Sequence, residues 1–177
     1  MEGVLEIEHL FTKAFTLNLH KIILDEIQRL NCDVPEETGD GIYARATVFN
    51  EELSALVTLQ MQEHLDISKL LGTHIFTSAK WFYTIYNAGG NIEPHKDGTF
   101  TFQGKESVAT ILIYLNDDFQ GGETIILDSL KKKAKSIHSV RPVAGKALIL
   151  LPNVPHKSAS VKSGQKLIIR SDVFSTI

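Results

Sequence analysis

Residues 108–127 read VATILIYLNDDFQGGETIIL, and the fold class turns on this stretch. Two apolar runs, 108–115 and 123–127, are short and rich in isoleucine and threonine; between them lie Asn116, Asp117 and the pair Gly121-Gly122. β-Branched side chains suit a pleated, half-buried surface, and paired glycines mark a turn or bulge. The stretch therefore reads as two short strands joined by a tight connection.

Working outward, runs of the same character recur at WFYTIY (81–86), KALILL (146–151) and KLIIRSDVF (166–174). Turn residues separate them: Asn87 to Gly90, Pro142 to Gly145, and Ser163-Gly164. Several short strands at this spacing predict a sandwich or barrel. The first third differs. From Leu17 to Leu30, the residues Leu19, Ile22, Ile23, Ile27 and Leu30 recur at spacings of three and four, the stripe of a core-facing helix. The polar stretch DVPEETGDG (33–41) reads as a loop. A second helix opens at Asn50, an N-cap residue followed by Glu51 and Glu52 at the positive end of the helix dipole. It runs through Leu53, Leu56, Val57 and Gln60 toward His64, and a turn near Leu71-Gly72 closes this half. Helices precede strands instead of alternating with them, which argues against a doubly wound parallel sheet. The expectation is a mainly β chain with N-terminal helices (α+β) forming one domain over residues 1–177. Residues 1–74 would be a largely helical support region and 75–177 the strand-rich core.

Composition narrows the function. A chain of 177 residues with 43% hydrophobic residues can bury a sizeable core. Eighteen Lys+Arg against 21 Asp+Glu give a formal charge of −3, which offers no electrostatic case for a nucleic-acid partner. The single cysteine, Cys32, excludes an intramolecular disulfide and a Cys-based zinc cluster. No secretory leader or bilayer-length apolar run is visible, so a cytoplasmic protein without a membrane partner is expected. Lys131, Lys132, Lys133 and Lys135 form a basic cluster, read either as a solvated hairpin tip or as a contact for an acidic partner.

Seven histidines direct attention to a metal. In His95-Lys96-Asp97, extended backbone would turn the imidazole and the carboxylate to one face. Lys96 would then point away, to solvent or to the substrate mouth. The second His-x-Asp, His64-Leu65-Asp66, closes a predicted helix, where positions i and i+2 diverge, and it is rejected as a ligand pair. A third ligand is available in His156, within LPNVPHKS, where Pro152 and Pro155 fix the backbone after a strand. Two histidines and one carboxylate on one face of an ion, with the other positions open, is the arrangement of non-haem Fe(II) oxygenases. His9, His20, His74 and His138 lack such context and are read as structural or surface residues. Lys166 and Arg170 lie four apart on the last strand, hence on one face. Either they sit at strand ends in water, or an anionic cosubstrate pairs with them. Arg45, in ARATVFN, could reach the site from the helical layer but is left outside the candidate set. Glu123 is read as a strand start.

Several motifs occur in a telling order: YNAGGNIEPHKDG, IYLNDDFQGGET, PVAGKALILLPNVPH and GQKLIIRSDVF. From Trp81 to Phe174, over half its length, the chain resembles the Fe(II)/2-oxoglutarate-dependent oxygenases, specifically their prolyl 4-hydroxylase-like branch. The resemblance implies a double-stranded β-helix (jelly-roll) core supported by helices on one sheet. It implies that His95, Asp97 and His156 hold Fe(II), and that Lys166, ten residues after the distal histidine, receives the far carboxylate of 2-oxoglutarate. Tyr114 would share that carboxylate, and Tyr86 would lie beside the cosubstrate or substrate; as residues alone, both tyrosines also fit a plain aromatic core. Thr110 would share the inward face with Tyr114, and Arg170 matches an Arg-x-Asp-Val ending whose role is less defined. The implied reaction consumes O2 and releases succinate and CO2, with ascorbate a candidate reductant. The carboxylate at Asp97 argues for hydroxylation, since halogenating relatives usually carry a small residue there. The expected substrate is an amino-acid unit, free or peptidyl, prolyl among the options. Two rivals stand beside this reading: a cupin-like metal enzyme without 2-oxoglutarate, and a non-catalytic metal- or 2-oxoglutarate-binding module.

Overall fold

The structure, a computed structural model, describes residues 2–29 and 41–176, without the side chains of residues 26–28. The loop predicted at 33–41 thus lies almost wholly outside the described residues, as do Leu30, Cys32 and the side chain of Ile27. The chain opens with β1 (Val4–Ile7), α1 (Lys13–Arg29), β2 (Gly41–Ile42), β3 (Ala44–Phe49), α2 (Glu51–Glu63), α3 (Leu65–Leu71) and β4 (Ile75–Thr77). There follow β5 (Lys80–Tyr86), β6 (Asn91–His95), β7 (Thr101–Phe102), β8 (Lys105–Tyr114) and β9 (Gln120–Gly121). The remainder comprises β10 (Thr124–Leu127), β11 (Ser136–Val140), β12 (Ala147–Leu150), β13 (His156–Ser158), β14 (Val161–Ser163) and β15 (Lys166–Ser175).

Among the described residues, all strand pairs of the two principal sheets are antiparallel. The major sheet runs β1-β12-β8-β15-β5-β3, with β4 added beside β15 and β7 beside β8; the minor sheet runs β11-β10-β13-β6-β2. Each central strand of the major sheet is covered on both faces, which is why its sequence is nearly continuous in apolar residues instead of alternating. On the outer face, Ile111, Ile113, Ile149, Ile169, Trp81 and Tyr83 pack against Leu19 and Ile23 of α1 and Leu53, Val57 and Met61 of α2. The last three recur every four residues, one stripe of a helix, and each such burial contributes about 1.5–3 kcal/mol relative to exposure. On the inner face, Leu112, Tyr114, Leu148 and Ile168 meet Ile92, Ile126 and Val140 of the minor sheet. The fold is thus mainly β, a double-stranded β-helix with helices backing one sheet.

The second helix begins as the sequence predicts: the Asn50 side chain accepts from the Leu53 N–H at 2.8 Å. The first begins earlier, at Lys13, where Thr12 supplies an oxygen to the Phe15 N–H. The largely helical reading of residues 1–74 needs correction, because this region also closes both edges of the major sheet. β1 pairs with β12, and β3 with β5. VLEI is too short to announce itself, and in ARATVF the alternation of Ala46 and Val48 against Arg45 and Thr47 is only six residues long. Two histidines read as structural behave so: His20 bonds the Tyr83 hydroxyl at 2.6 Å, and His138 pairs with Glu6.

The turn before β12 is tightly constrained. Gly145 has φ +88, and a Cβ there would meet the Phe11 carbonyl oxygen at 2.1 Å. Gly145→Ala combines a left-handed backbone with a backbone clash, so it should destabilise the protein by about 2–4 kcal/mol in urea denaturation. Near-native stability would show that the Phe11 segment can move away.

Candidate active site

His95 ends β6, His156 opens β13, and the antiparallel register sets the two residues directly opposite each other. Their ring centroids are 4.3 Å apart. Each imidazole is oriented by its own chain: His95 Nδ1 is 2.8 Å from the Glu93 carbonyl, and His156 Nδ1 is 3.0 Å from the Val154 carbonyl. A carbonyl can only accept, so in both neutral rings Nδ1 carries the proton and Nε2 offers a lone pair. Burial lowers the His156 pKa, outweighing the pull of Asp97 in the other direction, which favours the neutral, ligating form.

Asp97 lies past the end of β6, so it reaches the histidines without strand alternation. Its segment is held by the Gly98 N–H, which donates to the Pro152 carbonyl at 3.0 Å. Asp97 Oδ1 is 3.7 Å from His95 Nε2, and Oδ2 is 3.9 Å from His156 Nε2. Burial alone would raise its pKa. Contact with His95, the Arg170 guanidinium and the two imidazoles overcome this and hold the carboxyl well below the usual carboxylate range. The ligand atoms of His95, Asp97 and His156 lie within 4.8 Å of one another. Two imidazole nitrogens and one anionic oxygen on one side of a cavity suit a divalent iron ion with positions left open. The orienting carbonyls are the outer-shell partners that such a site requires.

Lys166 faces this cluster from the major sheet. It is among the largest fully buried side chains, and Nζ donates to the Gly122 carbonyl at 2.6 Å and to Ser158 Oγ at 2.8 Å. The ammonium also lies 4.7 Å from the Tyr86 ring centroid and 5.8 Å from that of Tyr114. Burial pushes its pKa down to about 7, with Glu123 pulling the other way. Asn116 fixes the backbone on either side: its Oδ1 accepts from the Leu167 N–H at 2.9 Å, and its Nδ2 donates to the Gln165 carbonyl at 2.7 Å. Between Lys166 and the histidines lies a cavity of about 240 Å³.

The remaining candidates take distinct places. Tyr86 lines the cavity, whereas Tyr114 and Thr110 are not among its lining side chains. The Tyr114 hydroxyl bonds Thr124 Oγ1 at 2.7 Å; burial raises its pKa, so it stays a neutral phenol. Thr110 Oγ1 is 3.5 Å from Arg170 Nη2. Arg170 sits at the Asp97 end, 3.5 Å from Asp97 Oδ1 and 3.4 Å from Asp172 Oδ1. Lys96 is exposed at the cavity rim, as expected. Ser158, Gly122 and Asn116 were not foreseen. Gly122 acts through a carbonyl, which no side-chain pattern reveals, and Asn116 acts on backbone. Ser158 carried one usable signal, its position two residues past His156 on the same strand.

A sequence model of the 2OG-Fe(II) oxygenase superfamily matches residues 81–171, which is 91 of the 177 residues. Probable prolyl 4-hydroxylase 11 of Arabidopsis thaliana is 35% identical over 91 residues, covering 50% of this chain and 31% of that protein. The match therefore spans under a third of that relative's length. A prolyl-4-hydroxylase from Pseudomonas putida superposes with a TM-score of 0.67 at 16% identity, over 98% of this chain and 92% of that one. The viral collagen prolyl hydroxylase of Paramecium Bursaria Chlorella virus-1, solved with 2OG, superposes with a TM-score of 0.67 at 17% identity, over 99% and 97%. At these identities the structural likeness establishes the fold, and the sequence match establishes the family. A match across half of the chain, on a fold shared with solved prolyl hydroxylases, places this protein in the 2OG-Fe(II) oxygenase superfamily.

Proposed function

We propose that this protein is an Fe(II)- and 2-oxoglutarate-dependent dioxygenase that hydroxylates an unactivated C–H bond of an amino-acid unit, free or peptidyl, with prolyl substrates included. One observation carries the reading: a His-Asp-His cluster and a buried lysine, hydrogen-bonded only to neutral oxygens among the described residues, face each other across one cavity. His95, Asp97 and His156 would hold the iron through two Nε2 atoms and one carboxylate oxygen. Lys166 would receive the far carboxylate of 2-oxoglutarate through a charge-assisted contact, replacing water that a buried ammonium lacks. Strand β13 sets the span, because His156 and Ser158, the hydroxyl holding Lys166, are two residues apart, about 6.6 Å on a strand. A five-carbon diacid bridges such a distance. Fe(II) bound there would couple O2 to the oxidative decarboxylation of 2-oxoglutarate, yielding succinate, CO2 and a hydroxylated substrate.

The chain's own contribution is orientation and exclusion of water. The Glu93 and Val154 carbonyls keep both imidazoles in the ligating tautomer, and Arg170 keeps Asp97 anionic. Tyr86 and Ile168 present apolar surface beside Lys166, which strengthens its attraction for an anion. No described helix is long and apolar enough to cross a membrane. We place the protein in the cytoplasm on its composition, one cysteine in 177 residues.

Adding 2-oxoglutarate to the anaerobic Fe(II)-loaded protein should produce a saturable visible metal-to-ligand charge-transfer band. The band should be lost in His156→Ala and weakened in Lys166→Ala. Iron bound at one per chain with no band at any 2-oxoglutarate concentration would instead favour a cupin-like metal enzyme.

A further inference from the structure

Side-chain charge in the cavity is strongly one-sided. Among the described residues, Arg45, Lys96, Lys157, Lys166 and Arg170 line it, against a single carboxylate, Asp97. The proposed reactants do not offset this excess. A divalent iron and doubly charged 2-oxoglutarate cancel each other, and Asp97 and Asp172, 3.5 and 3.4 Å from Arg170, offset in net charge Arg170 and Lys166. Arg45, Lys96 and Lys157 are left over. Lys96 is exposed, and its charge is largely satisfied by water. Arg45 is different.

Arg45 is half-buried on β3, in register with Thr84 of β5, which is itself in register with Ile168 of β15. Ile168 sits between Lys166 and Arg170 on the inner face. The Arg45 side chain thus enters the cavity two strands, about 9–10 Å, from the row that carries the cosubstrate lysine. The guanidinium is held in place by rings: its carbon lies 4.6 Å from the Tyr43 ring centroid and 5.6 Å from that of Phe82. Its Nε donates to Thr84 Oγ1 at 3.4 Å, a long bond. Among the described residues no carboxylate pairs with it. Two more cations lie near the Phe82 ring, with Lys80 Nζ at 4.9 Å and the Arg170 guanidinium carbon at 5.4 Å from its centroid. Arg170 has Asp97 and Asp172 beside it, and Asp172 also offsets Lys80, whereas Arg45 has, among the described residues, only rings and one hydroxyl, which leaves guanidinium N–H groups for bidentate recognition of an anion.

We propose that the substrate of this site carries a carboxylate and that Arg45 receives it across the cavity from the metal ligands. The inference rests on the oxygenase reading above and adds the substrate class. Carboxylates come from two sources, a free small acid or an acidic residue of a peptide, and both present the same group.

The test uses the anaerobic Fe(II)- and 2-oxoglutarate-loaded protein, whose charge-transfer band reports substrate arriving beside the metal. The probes are the free L-amino acids and their N-acetyl derivatives, each with its carboxamide, and N-acetyl tripeptide amides holding one aspartate or glutamate, each with its asparagine or glutamine counterpart. The expected result is that at least one carboxylate probe shifts the band saturably while its amide partner binds about tenfold or more weakly. Arg45→Gln should weaken that probe by a similar factor, Arg45→Lys by less, and both should leave the band's dependence on 2-oxoglutarate in place. Binding by the free acids alone identifies a small-molecule substrate; binding by the tripeptides alone identifies a peptidyl one. Acids and amides binding equally, an Arg45→Gln protein binding like wild type, or no probe binding at all would each overturn the proposal. Failure of the band itself to form would count against the oxygenase reading and is seen before any probe is added.

Discussion

Alanine at Asp97 is expected to eliminate turnover and iron retention while leaving the chain folded. Asp97 is the anionic member of the cluster, so its loss leaves two neutral imidazoles to hold a divalent ion against water. Disturbing only the outer partners of a metal ligand typically costs about 10–100-fold in affinity or activity, and removing the charged ligand itself should exceed that. Succinate release should fall by more than about a hundredfold, and anaerobic gel filtration should recover little iron with the protein. Fold is expected to survive, because Asp97 lies in an irregular segment beyond β6 and supports no strand pairing. Arg170 keeps Asp172 as a partner in the variant. A folded Asp97→Ala protein with wild-type turnover would dismiss the cluster as the metal site. His156→Ala serves as a second measurement of the same kind, at a residue that does belong to a strand.

Lys166 carries the second large effect, and it has a pH signature. Lys166→Ala should raise the 2-oxoglutarate requirement by roughly a hundredfold, since truncating one partner of a buried charge pair costs about 2–5 kcal/mol. Metal binding should persist, because Lys166 is no member of the cluster. In the free protein burial has already pushed the lysine down to about pH 7, so at neutral pH much of it is uncharged. A carboxylate arriving beside Nζ stabilises the ammonium and raises that pKa. Binding above pH 7 therefore takes up a proton, and affinity for 2-oxoglutarate should fall as pH rises, approaching about tenfold per pH unit. Below pH 7 the lysine is charged before binding and the dependence should flatten. The other groups around it do not reverse the sign: Glu123 pulls the pKa upward, and the Tyr114 phenol stays neutral. Titrating the charge-transfer band at pH 6, 7, 8 and 9 in the wild type and in Lys166→Ala checks this. A flat wild-type profile would place the far carboxylate elsewhere.

These effects involve residues that the chain displays openly. His95, Asp97, His156 and Lys166 stand in ordered motifs, and their order along the chain is enough to nominate them. The strands at 81–86, 108–115, 146–151 and 166–174 are also legible, because strands covered on both faces appear as unbroken apolar runs. The short strands β6, β13 and β14 are not, since three to five residues with Pro94 or His156 among them show no period. β1 and β3 escape for the same reason, and with β3 goes the placement of Arg45.

By itself, then, the sequence determined the class of fold and the chemistry of the donor set, because burial requires apolar runs and metal binding requires particular atoms. Only the tertiary structure decided how those atoms meet. The register of β6 against β13 sets one histidine opposite the other, and the Gly98 to Pro152 hydrogen bond brings Asp97 to them. Contacts from Gly122, Ser158 and Asn116 fix Lys166, and the pairing of β3 with β5 puts Arg45 at the cavity. These contacts join residues separated along the chain through backbone pairing, side-chain hydrogen bonds and shared burial, none of which leaves a local mark in the amino-acid order.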